Sequence, residues 1–314
     1  MAGLLLTSTS YAQPADWLWE WTQTDFDTTS ISFDEILSGG PPKDGIPSID
    51  APEFEPVTAA DLPDNEPMLT VEVDGEARAY PLRILMWHEI VNDEIAGTPL
   101  TITFCPLCNT GIVFHRDVDG QVLDFGTTGK LRNSDLVMYD RQTESWWQQF
   151  TGEAIVGSMT GTRLVPYPSR LESFALFKER FPSGHVLVPS NEGSRRYGQN
   201  PYVGYDSRSE PYGFFDGDLP EGIAPLARVI RVGDKAWALD LLREQKRLED
   251  GDIVITWEPG QASALDSSTI ASSFDVGNVV VQRRTETGMV DEVYTVDFAF
   301  AFHAFYPDSV ITTQ

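Results

Sequence analysis

The sequence predicts a β-rich α+β fold in which two diverged tandem repeats, each of hairpin-helix-hairpin type, pack into one compact unit. Three observations carry this expectation. Twenty-five Gly and 21 Pro are spread along 314 residues without a period, which suits short strands joined by turns better than a helical bundle. Alternating apolar and polar residues from Leu69 to Tyr80 surround Asp74-Gly75, the strongest short-range hairpin signal. The run Val71 to Leu82 also recurs as Ile230 to Leu241, and Leu100 to Pro106 then recurs as Ile253 to Pro259, in the same order.

Residues 1–12 are expected to be a signal-peptide remnant. Gly3-Leu-Leu-Leu6 is a short apolar core without a basic region before it, and small Ser10 and Ala12 occupy the positions a signal peptidase reads. The mature chain then begins near Gln13, in the periplasm or outside the cell. Residues 13–68 form an arm and loop, with Trp17, Trp19 and Trp21 at the alternate spacing that puts three rings on one face of a strand or docking arm. Ser38 to Ser48 is a loop rich in turn residues.

The first repeat spans 69–190. Its hairpin enters a helix over Pro81 to Asn92, with Pro in the first turn and an apolar stripe of Leu82, Leu85, Met86 and Ile90. Two β-branched and aromatic runs then flank Cys105-Pro-Leu-Cys108-Asn-Thr-Gly111, placing both cysteines in the turn of a hairpin. Strands follow near Val122 to Phe125 and Leu136 to Tyr139, and a helix over Glu172 to Phe181 is stopped by Pro182-Ser-Gly184. Residues 191–225 are an aromatic loop region, and 226–314 a second, degenerate repeat. There Glu258 and Gln261 stand where Cys105 and Cys108 stand in the first, and no His faces His88.

Composition narrows the function. A hydrophobic content of 41% excludes wholesale disorder, and a net charge of -26 disfavours nucleic acid and anionic membrane as partners. Only five of the 22 basic residues are Lys, which suits a saline medium where salt screens the self-repulsion. No run reaches the roughly 20 apolar residues of a transmembrane helix.

Chemistry concentrates on the two cysteines, and three uses compete. A structural disulfide would close so short a loop that chain entropy gives it only about 2 kcal/mol. Thiol-disulfide exchange is open to any Cys-X-X-Cys, but the residues after Cys108 read as turn and strand, not as the helix N-terminus that lowers a thiolate pKa. A mononuclear metal site uses both thiolates, with soft sulfur selecting copper(I) first and zinc second. Two sulfurs do not complete such a site, so His88 on the neighbouring helix is the expected third ligand or an acid/base group, with His115 and Met138 behind it. Glu89 is a candidate general base. Arg132, Asp135, Asp140, Arg141, Trp146 and Trp147 are candidates for a polar-aromatic pocket binding substrate. His88-Glu89 lacks the second His of a metalloprotease helix, and neither a nucleophile elbow nor a phosphate-binding loop occurs.

His88-Glu-Ile-Val-Asn-Asp93, Phe104-Cys-Pro-Leu-Cys-Asn-Thr-Gly111, Ser134-Asp-Leu-Val-Met-Tyr-Asp-Arg141 and Trp147 to Gly152 together resemble the bacterial and archaeal domain-of-unknown-function family 3179 over roughly residues 35 to 310. The resemblance implies an exported or envelope protein with His88, Glu89, Cys105 and Cys108 in the characteristic motifs, and no particular reaction. It places an acidic residue where His115 stands, which argues against His115 as a shared ligand. The expected function is a copper- or thiol-dependent oxidoreductase acting on a small or peptidic substrate. A thiol-disulfide oxidoreductase and a non-catalytic metal carrier or interaction module are the alternatives, and the oligomeric state is open.

Overall fold

At the Asp74-Gly75 turn both residues take positive φ, 50° and 86°, the backbone a tight type I′ hairpin requires. Strands Pro67–Val73 and Glu76–Pro81 pair antiparallel from there, with Val73 opposite Glu76. The computed structural model describes residues 14–314, so the expected signal-peptide remnant at 1–12 lies outside the described residues.

The protein is mostly β, and five sheets of four or five strands lie in a five-bladed, propeller-like arrangement. Among the described residues no α-helix is longer than seven residues. One sheet runs Arg170–Ser173, Pro67–Val73, Glu76–Pro81, His185–Val188, Glu53–Pro56, and another runs Thr295–Phe298, Arg228–Val232, Lys235–Ala238, Ile311–Thr312. In each, a hairpin carries an antiparallel strand on its first member and a parallel one on its second. The next two sheets are antiparallel four-strand meanders, one from Ile90–Ile95 through Thr98–Cys105 and Thr110–His115 to Pro166–Tyr167, the other from Arg247–Asp250 to Gly288–Asp291. The fifth sheet, built on Phe125–Arg132 and Asp135–Asp140, has no counterpart in the second half. A layout of two hairpin-helix-hairpin units is therefore too coarse: each such run is divided between two sheets, and a third sheet is inserted after the first run.

The helix expected over 81–92 is Leu82–His88. Glu89 leaves it at φ 59°, and Ile90–Ile95 continues as a strand paired with Thr98–Cys105. Ile90 and Ile95 are fully buried, so the helical apolar stripe ran on into a covered strand whose period cannot be told from it. The tryptophan arm is also different. Pro14–Trp17 is a helical turn, and Trp17 and Trp21, four residues apart, pack on Trp146 with ring centroids 5.0 and 5.1 Å away. Trp19 points the other way and is 77% exposed.

The two halves share one core. Leu69, Phe104, Cys108 and Met138 belong to the same buried cluster as Phe298, Phe300 and Ala301. This cluster holds the cysteine hairpin from behind.

Candidate functional site

Strands Thr98–Cys105 and Thr110–His115 close on a turn whose last residue, Asn109, takes φ 54°. The turn is anchored from the second half of the chain. The Phe298 amide donates to the Cys108 carbonyl at 2.9 Å, Asn109 Nδ2 to the Val296 carbonyl at 2.8 Å, and Thr110 Oγ1 to Asp297 Oδ1 at 2.8 Å. Tyr205 Oη donates to the Leu107 carbonyl at 3.0 Å. Each of these bonds satisfies a backbone or side-chain group in the interior, so the turn that carries the sulfurs cannot shift without breaking several of them.

A second hairpin turn meets the first. Asn133 and Ser134, at φ 53° and 62°, turn Phe125–Arg132 into Asp135–Asp140. The Ser134 carbonyl is 3.7 Å from Cys105 Sγ and the Asn133 carbonyl 4.0 Å from Cys108 Sγ. The next residue, Asp135, brings a carboxylate oxygen into a group in which it and the two sulfurs all lie within 4.8 Å of one another. Asp135 is fully buried. Its Oδ2 accepts from Gln148 Nε2 at 2.6 Å and from the Phe150 amide at 2.9 Å, while Oδ1 has no hydrogen-bond partner.

Glu89 completes an acidic, desolvated neighbourhood. Burial, reinforced by the charge of Asp135, pushes its carboxyl up to about 8. Burial likewise pushes Asp135 up to about 7 against the hydrogen bonds from Gln148 and Phe150. Both thiols are raised by burial, Cys108 well above its ordinary value. No Lys, Arg or His side chain bonds to any of these four groups among the described residues. Glu89 also lines a pocket of about 340 Å³ whose other walls include Leu107, Leu136, Tyr202, Tyr212 and Phe214. Leu107 stands between the two cysteines, so this pocket adjoins the sulfur group.

The other expected site residues lie elsewhere. His88 does not join the sulfurs: its Nδ1 is 2.8 Å from the Pro47 carbonyl and its Nε2 2.8 Å from Tyr197 Oη. Its helix ends one residue on, where Glu89 turns back into the site and His88 is left on the outer side. His115 packs its ring on Tyr167 at 5.2 Å, and Met138 is fully buried in the core. Asp140 and Trp147 are fully buried; Asp140 accepts from Thr143 and from Trp147 Nε1, holding a turn in the interior. Trp146 is fully buried in the cluster with Trp17 and Trp21. Arg132 pairs with Glu35 at 2.7 Å and reaches Asp135 only through Gln148, its Nη1 lying 3.5 Å from Gln148 Oε1. Arg141 is held by Asp44 and Asp50.

Asp135 as a partner of the sulfurs was the residue that sequence reasoning underweighted. Its signal is a charged residue directly before the strand run Leu136 to Tyr139, but nothing local says that this end of the strand docks on the cysteine turn.

The model of the family described as "Protein of unknown function (DUF3179)" matches residues 43–309. The chain belongs to this family. No curated protein and no solved structure matches it. The matched span contains Glu89, both cysteines, Asp135 and the aromatic wall of the pocket.

Proposed function

We propose that Cys105, Cys108 and Asp135 form a mononuclear metal centre. The observation that carries this reading is a carboxylate oxygen of Asp135 within 4.8 Å of both sulfurs, on a buried residue whose Oδ1 has no hydrogen-bond partner. A buried polar atom left without a partner calls for an explanation, and a cation supplies one. Donors on one tetrahedral zinc ion, with bonds of about 2.3 Å to sulfur and 2.0–2.2 Å to oxygen, lie roughly 3.5–4 Å apart. The group closes to that span by small side-chain movements.

The two soft sulfurs by themselves select copper(I) first and zinc second. A hard carboxylate beside them moves the balance toward zinc, which accepts sulfur and oxygen together. Three protein ligands leave a fourth position for water or substrate, the arrangement of catalytic rather than structural sites. The adjoining pocket, with Glu89 on its wall, supports a metal-dependent enzyme, an oxidoreductase if the ion is copper, acting on a small or peptidic substrate. Burial that raises both thiols argues against thiol-disulfide exchange, because only the thiolate attacks. The enclosed sulfurs argue equally against a carrier that hands its metal on. Export belongs to the same proposal, supported by an acidic surface with five lysines.

We further infer that the two halves are diverged tandem copies, the second kept as scaffold. Their hairpins share a register, with Val71 opposite Arg78 and Ile230 opposite Trp237.

The test is metal content by mass spectrometry on protein purified without chelator, beside the Cys105→Ser, Cys108→Ser and Asp135→Asn variants. Near-stoichiometric zinc or copper, lost in each variant, is the expected result. Protein that stays metal-free after reconstitution with both ions would overturn the reading.

A further inference from the structure

A second pocket, about 190 Å³, lies between the strand Thr110–His115 and the second half of the chain. Its walls include Phe114, Phe150, Tyr294 and Tyr306, and Arg231 is the one charged residue that lines it. The Arg231 side chain is only 10% exposed. Its single hydrogen bond among the described residues runs from Nε to Asp297 Oδ2 at 2.7 Å, and Nη2 is buried with no acceptor at all. Asp297 also accepts from Thr110 at Oδ1 and from Thr295 at Oδ2, and it makes no bond to the terminal nitrogens of Arg231. The guanidinium plane lies over the Phe150 ring at 4.5 Å and near Tyr306 at 5.7 Å.

A guanidinium presents five N–H donors in a fixed fork, and here one is used. Leaving Nη2 dry in the interior is costly unless an acceptor arrives. In a chain of net charge -26 the general field repels anions, so a desolvated cation with spare donors marks a site built against that field. We propose that this pocket binds a small monocarboxylate with an aromatic or apolar body. The carboxylate takes the two terminal nitrogens of Arg231 side by side, the geometry for which the fork is suited. The body lies against Phe114, Phe150 and Tyr306. Asp297 already pairs with Arg231 and no second cation lines the pocket, which disfavours a doubly charged phosphate, and the volume falls short of the roughly 300 Å³ where drug-sized ligand pockets begin.

Isothermal titration of the whole protein with sodium benzoate at pH 7 and low salt tests this, with benzamide and inorganic phosphate as comparison ligands. Saturable one-to-one binding of benzoate is expected, with no binding of neutral benzamide and weaker binding of phosphate. Arg231→Lys, which keeps the charge and loses the fork, should weaken benzoate roughly tenfold to a hundredfold. No saturable binding at millimolar benzoate, equal binding of benzamide, tighter binding of phosphate, or unchanged affinity in the variant would each overturn the proposal. Should Arg231→Lys fail to melt cooperatively, the comparison of benzoate with benzamide on the wild-type protein decides alone.

Discussion

Glu89 and Lys246 occupy the same place in the two halves of the chain. Each ends a seven-residue helix at positive φ, 59° and 64°, and each donates its amide to the carbonyl four residues back at 2.7 Å. Each then accepts from an aromatic residue of the next hairpin, Phe104 at 2.8 Å and Trp257 at 3.0 Å. The backbone is held in common and the side chains have parted. Glu89 turns its carboxyl into the site, while Lys246 lays its ammonium over the Trp257 ring at 3.7 Å. A backbone position at positive φ recurs in both halves, and only the first places a carboxyl beside the cysteines.

The placement of His88 and Asp135 separates two ligand sets. His88→Ala should retain the metal with near wild-type stoichiometry, since both ring nitrogens are engaged outside the group. Asp135→Asn should lose affinity by at least about a hundredfold while remaining folded, because the amide oxygen still accepts from Gln148 and Phe150. Competition titration against a chromophoric chelator measures both. Loss of metal in His88→Ala would return His88 to the ligand set.

Metal uptake should release protons. Both thiols are raised above their ordinary value of 9.0 and are protonated at pH 7, so each gives up one proton on ligation. Asp135, at about 7, adds a fraction of roughly half. Calorimetry in buffers of different ionisation enthalpy reads this number directly. A release near zero would be incompatible with thiolate ligation.

Stability of the metal-free protein should fall as pH rises. Below the unfolded value of about 4.5 the Glu89 carboxyl is protonated in both states and contributes nothing. Between there and about 8 the unfolded chain releases the proton while the folded chain keeps it, so folding weakens through that window and levels off above it. Asp135 acts in the same direction between 3.8 and about 7. Shifts of this size set the combined loss at about 9 kcal/mol across the whole window. Glu89→Gln should flatten the upper part of the profile, which urea unfolding at a series of pH values resolves.

Gly129→Ala should destabilise the protein by about 2–4 kcal/mol and deform the pocket beside Glu89. Gly129 sits at φ +70°, and an added Cβ would fall 1.9 Å from the Pro41 carbonyl oxygen, which is backbone and cannot swing aside. Thermal melting gives the shift. An unchanged melting temperature would mean that the Pro41 loop is far looser than its contacts imply.

Local chemistry made much of this protein legible in its residues. Asp74-Gly75 specified a hairpin because both positions need positive φ, and the cysteine turn was readable because β-branched residues flank a turn-forming run. The recurrence of Val71 to Leu82 at Ile230 to Leu241 marked hairpins that prove to share strand order and register. The end of the first helix was not legible, since Ile90 fits a helical stripe and a buried strand equally well. The spacing of Trp17, Trp19 and Trp21 misled for a similar reason: alternation describes a strand only where the chain is extended.

The sequence by itself determined where the candidate site is centred, because two cysteines in one turn have few uses. Only the tertiary structure decided their company. Asp135 lies 27 residues beyond Cys108 and reaches it because two hairpin turns dock head to head. His88, much nearer in sequence to the motif, is turned away because its helix ends on a residue at positive φ. Contacts between separate hairpins depend on how their sheets pack, and that packing is set by the shared core of both halves rather than by any short run of residues.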